Sequence, residues 1–134
     1  MKEKVGHKNG KRVLVIEDEA VFRKMLVENL AREGFGTLEA VDGSGGLKLA
    51  MSEKPDAILL DLMLPATNGM EVLEKLRADE WGKNVPIIII TNLELDDPLL
   101  REISKNEPSY YLMKKDCEIS NVILKVRGCL GFPL

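Results

Sequence analysis

The chain has 134 residues, 45% apolar and 31% charged, which suits one packed core and leaves no room for a second folded domain. Its net charge is −3, with Lys and Arg scattered rather than gathered into a stripe, which speaks against direct nucleic-acid binding. The longest apolar run, Val85 to Ile90, is far too short for membrane insertion, and the N-terminus has charges but no apolar signal core, so a cytoplasmic location is expected.

Met1 to Lys11 is polar and aperiodic and reads as a flexible leader, with the fold starting at Arg12. Val13 to Ile16 is a continuous, largely β-branched run, the mark of a strand buried on both faces, and it stops at Glu17-Asp18-Glu19. Phe22, Met25, Leu26 and Leu30 then follow helical spacing up to Gly34, a natural cap. A weaker strand, Gly36 to Ala40, leads to a helix carrying Leu47, Ala50 and Met51, which Pro55 stops. Ala57 to Leu60 is a third strand, and Met70, Leu73 and Leu76 mark a third helix. Met25, Met51 and Met70 are read as packing residues.

Pro86 to Ile90 is the most apolar strand. Leu99, Leu100 and Ile103 mark a short helix that Asn106-Glu107-Pro108 ends. Tyr110 to Met113 is a fifth strand, and Ile119, Val122, Ile123 and Val126 share one face of a last helix closed by Gly128 or Gly131. Strands alternating with helices imply an α/β fold with a doubly wound parallel sheet, because parallel strands need helical crossovers. The domain should span residues 12–130, with 131–134 as a tail.

In such a sheet the residues just past each strand gather on one edge, where ligands bind. The first strand delivers Glu17 and Asp18, the third Asp61, the fourth Thr91, and the fifth Lys114 and Lys115. Three converging carboxylates repel unless protonated or joined by a hard cation, for which Mg2+ is suited. A carboxylate nucleophile forms an acyl phosphate when metal, Lys and hydroxyl groups offset the charge of the incoming phosphoryl oxygens. Asp18 could simply cap the first helix, although the motif context favours the metal ligand, and Thr91, Tyr111 and the lysines taken singly could be strand-end, core or solvated residues. Cys117 and Cys129 form no CxxC pair and His7 is the single histidine, so neither a thiol redox site nor a zinc site is supported.

From Arg12 to Gly128 the chain resembles the receiver domains of bacterial two-component response regulators of the single-domain, CheY-like kind. The likeness rests on Val13-Leu14-Val15-Ile16-Glu17-Asp18-Glu19, on Asp61-Leu62-Met63-Leu64-Pro65 with Asn68-Gly69, and on the order of Thr91 and Tyr111-Leu112-Met113-Lys114. It implies a five-stranded (βα)5 flavodoxin-like fold with strand order 2-1-3-4-5. It further implies a phosphoacceptor at Asp61 and a Mg2+ ion held by Glu17, Asp18, Asp61 and the Met63 carbonyl. Thr91 and Lys114 would bind phosphoryl oxygens, and Thr91 and Tyr111 would form a switch acting on the face of the fourth helix, fifth strand and fifth helix. The implied partners are a sensor histidine kinase or phosphotransfer protein and a separate downstream effector. A chain of this kind is not an enzyme beyond its own phosphorylation and dephosphorylation.

Five positions depart from the family pattern: Glu17 for the usual Asp, Asn92 for a small residue, Glu107-Pro108 for Gly-Ala, and Lys115 for Pro. Adjacent lysines leaving one strand cannot both face the pocket, so Lys114 is expected inside and Lys115 outside. Without the proline a trans peptide should join them, since a non-proline cis bond costs about 2.5 to 4 kcal/mol, leaving Asp116 to cap the last helix. Other readings are a haloacid-dehalogenase-type phosphatase, which wants Asp where Met63 stands; a flavodoxin-like cofactor binder, which the acidic first turn opposes; and a degenerate receiver serving as a phosphorylation-independent docking module.

Overall fold

Five strands and five helices alternate along residues 9–133, the part of the chain that the computed structural model describes. Most of the expected leader, and Leu134, lie outside those residues. The elements are β1 (Arg12–Ile16), α1 (Ala20–Arg32), β2 (Gly36–Ala40), α2 (Gly43–Glu53), β3 (Ala57–Leu60), α3 (Gly69–Ala78), β4 (Ile87–Thr91), α4 (Asp97–Lys105), β5 (Tyr110–Met113) and α5 (Ile119–Cys129). A short 3-10 turn, Lys114–Asp116, joins β5 to α5. All strand pairings are parallel, in the order β2-β1-β3-β4-β5. The expected doubly wound flavodoxin-like fold is therefore the observed one.

Strand parity sorts the core into two layers, because successive side chains point to opposite faces. Leu14, Ile16, Ile58, Leu60, Ile87 and Ile89 meet α2, α3 and Ile103 of α4 on one face. Val13, Val15, Leu59, Ile88 and Ile90 meet Leu26, Val27 and Leu30 of α1 and Val122, Ile123 and Val126 of α5 on the other. Each fully buried Leu or Ile contributes roughly 1.5–3 kcal/mol of transfer free energy, so the central strands are the most firmly fixed part of the molecule. They hold their C-terminal residues at one edge.

The structure corrects several expectations. Met25 is 40% exposed; α1 turns Leu26, Val27 and Leu30 inward, which leaves Met25 off the centre of that face. Met70 is buried, and Met51 is half-buried against the same layer. Strand β4 begins at Ile87 rather than Pro86, which lacks an N–H, although the Pro86 carbonyl still accepts the Ile58 N–H at 2.9 Å. Asp18 is not the helix cap: Glu19 holds the N-cap position of α1, without a side-chain hydrogen bond. Nor does Asp116 cap α5, since it lies in the 3-10 turn and Glu118 occupies the N-cap position. Gly131, at φ +80°, closes α5, while Gly128 remains within the helix. Beyond it Phe132 stacks edge-on against buried Phe35, with ring centroids 5.8 Å apart.

Candidate functional site

The β1 run ends by burying Glu17, which remains only 2% exposed, and passing Asp18 to the surface. On the neighbouring strand, β3 ends at Leu60 and delivers Asp61, 4% exposed. Each of Glu17, Asp18 and Asp61 offers a carboxylate oxygen, and these atoms lie within 4.8 Å of one another. An all-oxygen donor set of this kind fits Mg2+, which favours carboxylates and retained water.

The loop after β3 is held tightly against the site. Asp61 accepts the Met63 backbone N–H at 2.9 Å, which keeps residue 63 folded back on the carboxylate. Asn68 caps α3 by accepting the Met70 N–H, and the Gly69 N–H donates to the Leu62 carbonyl at 3.1 Å. A Cβ at Gly69 would meet the Leu62 Cα and would lie 2.7 Å from the Asp61 carbonyl oxygen. The glycine of the Asn68-Gly69 pair is thus what lets α3 start directly behind Asp61.

Lys114 enters from the end of β5 as the central cation. Its Nζ lies 2.9 Å from Glu17, 2.8 Å from Glu19 and 3.3 Å from Asp61, and 4.9 Å from the Phe22 ring centroid. Burial alone would lower its pKa, but the hydrogen bonds to Glu19 and Glu17 and the charges of Glu17 and Asp61 outweigh it and raise it well above the ordinary lysine value. The Glu17 pKa is raised, by burial first and further by the Asp61 charge, against the opposing pull of Lys114 and the Glu19 N–H. Lys115 is exposed, near Glu94 at 4.0 Å, and the peptide joining the two lysines is trans. Lys114 inside and Lys115 outside is the expected arrangement.

Thr91 is wholly buried at the end of β4, and its hydroxyl accepts the Leu93 N–H at 3.3 Å. Tyr111, half-buried on β5, donates its hydroxyl to the Leu93 carbonyl at 2.7 Å. The two residues expected to form a switch are therefore joined through the backbone of one residue. The Tyr111 pKa is raised by burial and then by the Asp61 charge. An open cleft of about 250 Å³ is lined by Asp18, Glu19, Asp61, Met63, Asn92 and Lys114. Thr91 and Tyr111 stand behind this cleft rather than in its wall.

Sequence reasoning missed three contributors, Glu19, Leu93 and Arg23, and the contact of a fourth residue that it had singled out. Glu19 grips Lys114, Leu93 links Thr91 to Tyr111, and Asn92 accepts the Lys115 N–H at 2.9 Å. Arg23 spans from Glu39 to the carbonyls of Glu17 and Asp18. The adjacency of Glu19 to the acidic pair and the departure at Asn92 beside Thr91 were the available signals; Leu93 and Arg23 had none.

Comparison with known proteins points in one direction. The family model for the response regulator receiver domain matches residues 13–127. The DNA-binding dual master transcriptional regulator RpaA of Synechocystis is 31% identical over 119 residues, which cover 89% of this chain and 48% of RpaA. The alkaline phosphatase synthesis transcriptional regulatory protein PhoP of Bacillus subtilis is 42% identical over 97 residues, covering 72% of this chain and 40% of that protein. The chain thus spans less than half the length of these curated relatives. Among solved structures, the receiver domain of a sensor histidine kinase from Pseudomonas aeruginosa PAO1, with a magnesium ion coordinated in its active-site cleft, has a TM-score of 0.80 and 26% identity, covering 91% of this chain and 98% of that one. A CheY-like receiver domain protein from Methanospirillum hungatei has a TM-score of 0.82 at 22% identity, covering 90% and 94%.

Proposed function

The chain belongs to the response regulator receiver domain family, and on that premise we propose that it is a phosphorylation switch whose phosphoacceptor is Asp61. One observation carries the reading: a buried carboxylate, two further acids and a lysine converge at the carboxyl edge of a parallel sheet. The receiver unit is assigned to residues 12–130.

The Asp61 carboxylate attacks the phosphorus of a phosphohistidine on a sensor kinase or phosphotransfer protein. An O–P bond forms, the donor's N–P bond breaks, and the imidazole leaves with the electron pair. Glu17, Asp18, Asp61 and the Met63 carbonyl would hold Mg2+, which when bound would supply charge neutralisation to the phosphoryl oxygens. Lys114 gives those oxygens a fixed cation, and Thr91 turns its hydroxyl from Leu93 toward them. Tyr111, tied to the same residue, then resettles, and the α4, β5 and α5 face alters its affinity for a separate effector protein. Water returns the phosphoryl group to solution as phosphate, and this self-catalysed turnover is the only chemistry assigned to the chain. RpaA is named as DNA-binding for a protein of which this chain spans 48%; the present stretch is assigned protein partners in the cytoplasm and no direct DNA contact.

The test is to expose the purified protein to acetyl phosphate and Mg2+. One phosphoryl mass, labile to hydroxylamine and lost in Asp61→Asn, is expected, because the amide keeps the shape but is no nucleophile. Undiminished labelling of the variant would overturn the assignment, and no uptake by the wild-type protein would leave the docking module as the reading.

A further inference from the structure

The loop that carries Glu17 and Asp18 has an unusual anchorage. Helix α1 begins without a side-chain cap, and the Glu17 carboxylate is occupied by Lys114 and the Glu19 N–H. The loop backbone is held on its N–H side by Glu17, which donates to the Ala40 carbonyl of β2 at 3.0 Å, and on its carbonyl side by Arg23, one turn into the helix. Its Nη1 donates to the Glu17 carbonyl at 3.0 Å and lies 3.5 Å from the Asp18 carbonyl, while its Nε pairs with Glu39 of β2 at 3.0 Å. The Arg23 side chain is only 14% exposed, whereas its Glu39 partner is 42% exposed, so the clamp is buried at the loop end and open to water at the strand end.

We propose that Arg23 is a positioning residue of the metal site: its planar fork ties the backbone of both acidic ligands to β2 and so sets the spacing of the carboxylates. This rests on the reading of Glu17, Asp18 and Asp61 as Mg2+ ligands. A rigid fork suits the task, since one plane serves the loop carbonyls and the strand carboxylate together, which an ammonium cannot match. Spacing matters because Mg2+ demands near-ideal octahedral geometry at short oxygen distances. Groups just outside a metal's ligands typically alter affinity by about 10–100-fold.

Charge and geometry predict opposite signs. A guanidinium beside a cation site repels the cation, so on charge alone its removal would tighten Mg2+ binding. As a clamp, its removal must weaken binding.

The experiment is calorimetric titration of the whole chain with Mg2+ alone, together with thermal melting in chelator. Arg23→Ala should weaken Mg2+ binding about tenfold or more while the metal-free protein, though its melting midpoint falls with the lost hydrogen bonds, still melts in one cooperative transition. Arg23→Lys, which keeps the charge but loses the fork, should recover only part of the affinity. Should Arg23→Ala fail to fold, Arg23→Gln keeps much of the side-chain volume and should also bind Mg2+ more weakly than the wild type. Binding by either folded neutral variant that equals or exceeds wild-type affinity would overturn the proposal. A wild-type protein that binds no Mg2+, or binds it undiminished by Asp18→Ala and Asp61→Asn, would instead overturn the metal-site reading beneath it.

Discussion

Glu17 places function and stability in opposition within a single residue. Its folded pKa is raised above 4.5 by burial and by Asp61, so above that raised pKa its ionised form detracts from folding, and stability falls as pH rises from about 4.5 through the shifted value. Glu17→Gln should therefore melt higher than the wild type at pH 7 in chelator. The gain should vanish as the pH is lowered toward 4.5, where the wild-type carboxyl takes up its proton, and the variant should bind Mg2+ more weakly. A lower melting midpoint at pH 7 would show that the hydrogen bond to Lys114 outweighs burial. Lys114 has the other sign: its raised pKa gives a contribution complete below its ordinary value and lost only as pH rises through the shifted one. At the same scale, Lys114→Ala should impair acetyl-phosphate labelling or the response to it, and Lys115→Ala should do neither. Strand termini exposed the acids, Thr91 and Lys114 to sequence reasoning. Arg23 and Glu19 escaped it because their roles depend on how far a side chain reaches across a loop, and that reach has no periodicity.

Helices α3 and α4 show how unevenly the elements are held. Helix α3 buries Met70, Val72, Leu73 and Leu76, whereas in α4 only Ile103 is buried and Leu100 is left 47% exposed. Local opening costs less where little apolar surface is lost. Backbone amides of α4 should exchange with deuterium well before those of α3; equal protection would mean that α4 is not the loose element of the proposed signalling face. Backbone strain lies at the end of α2, where Lys54 takes a left-handed φ of 47°. Lys54→Gly should raise stability by about 0.5–1 kcal/mol, or a melting midpoint higher by about 2–4 °C. The helices themselves were legible from their apolar spacing. The inward face of α1 was not, since Met25 and Leu26 are adjacent and only packing decides between them. The Asp116 cap failed because the 3-10 turn consumes that residue before α5 begins.

At the scale of the molecule, the two core layers divide the labour: α1 and α5 close one face, and α2, α3 and α4 the other. Order along the chain implied a sheet covered on both faces but not which helices share a face, and it conceals the backbone contacts that join residues at the carboxyl edge of the sheet. Leu93 is the most telling of these, since its N–H serves Thr91 and its carbonyl serves Tyr111. The consequence concerns time. If Thr91 cannot leave without disturbing the residue that Tyr111 holds, the two side chains share one event and one clock. Relaxation dispersion on the protein treated with a phosphate mimic should then yield a single exchange rate for probes at Thr91 and Tyr111, and Tyr111→Phe should speed the motion of Thr91 by removing the drag of its hydroxyl. Two unrelated rates would mean that the chain keeps separate time at its pocket and at its surface.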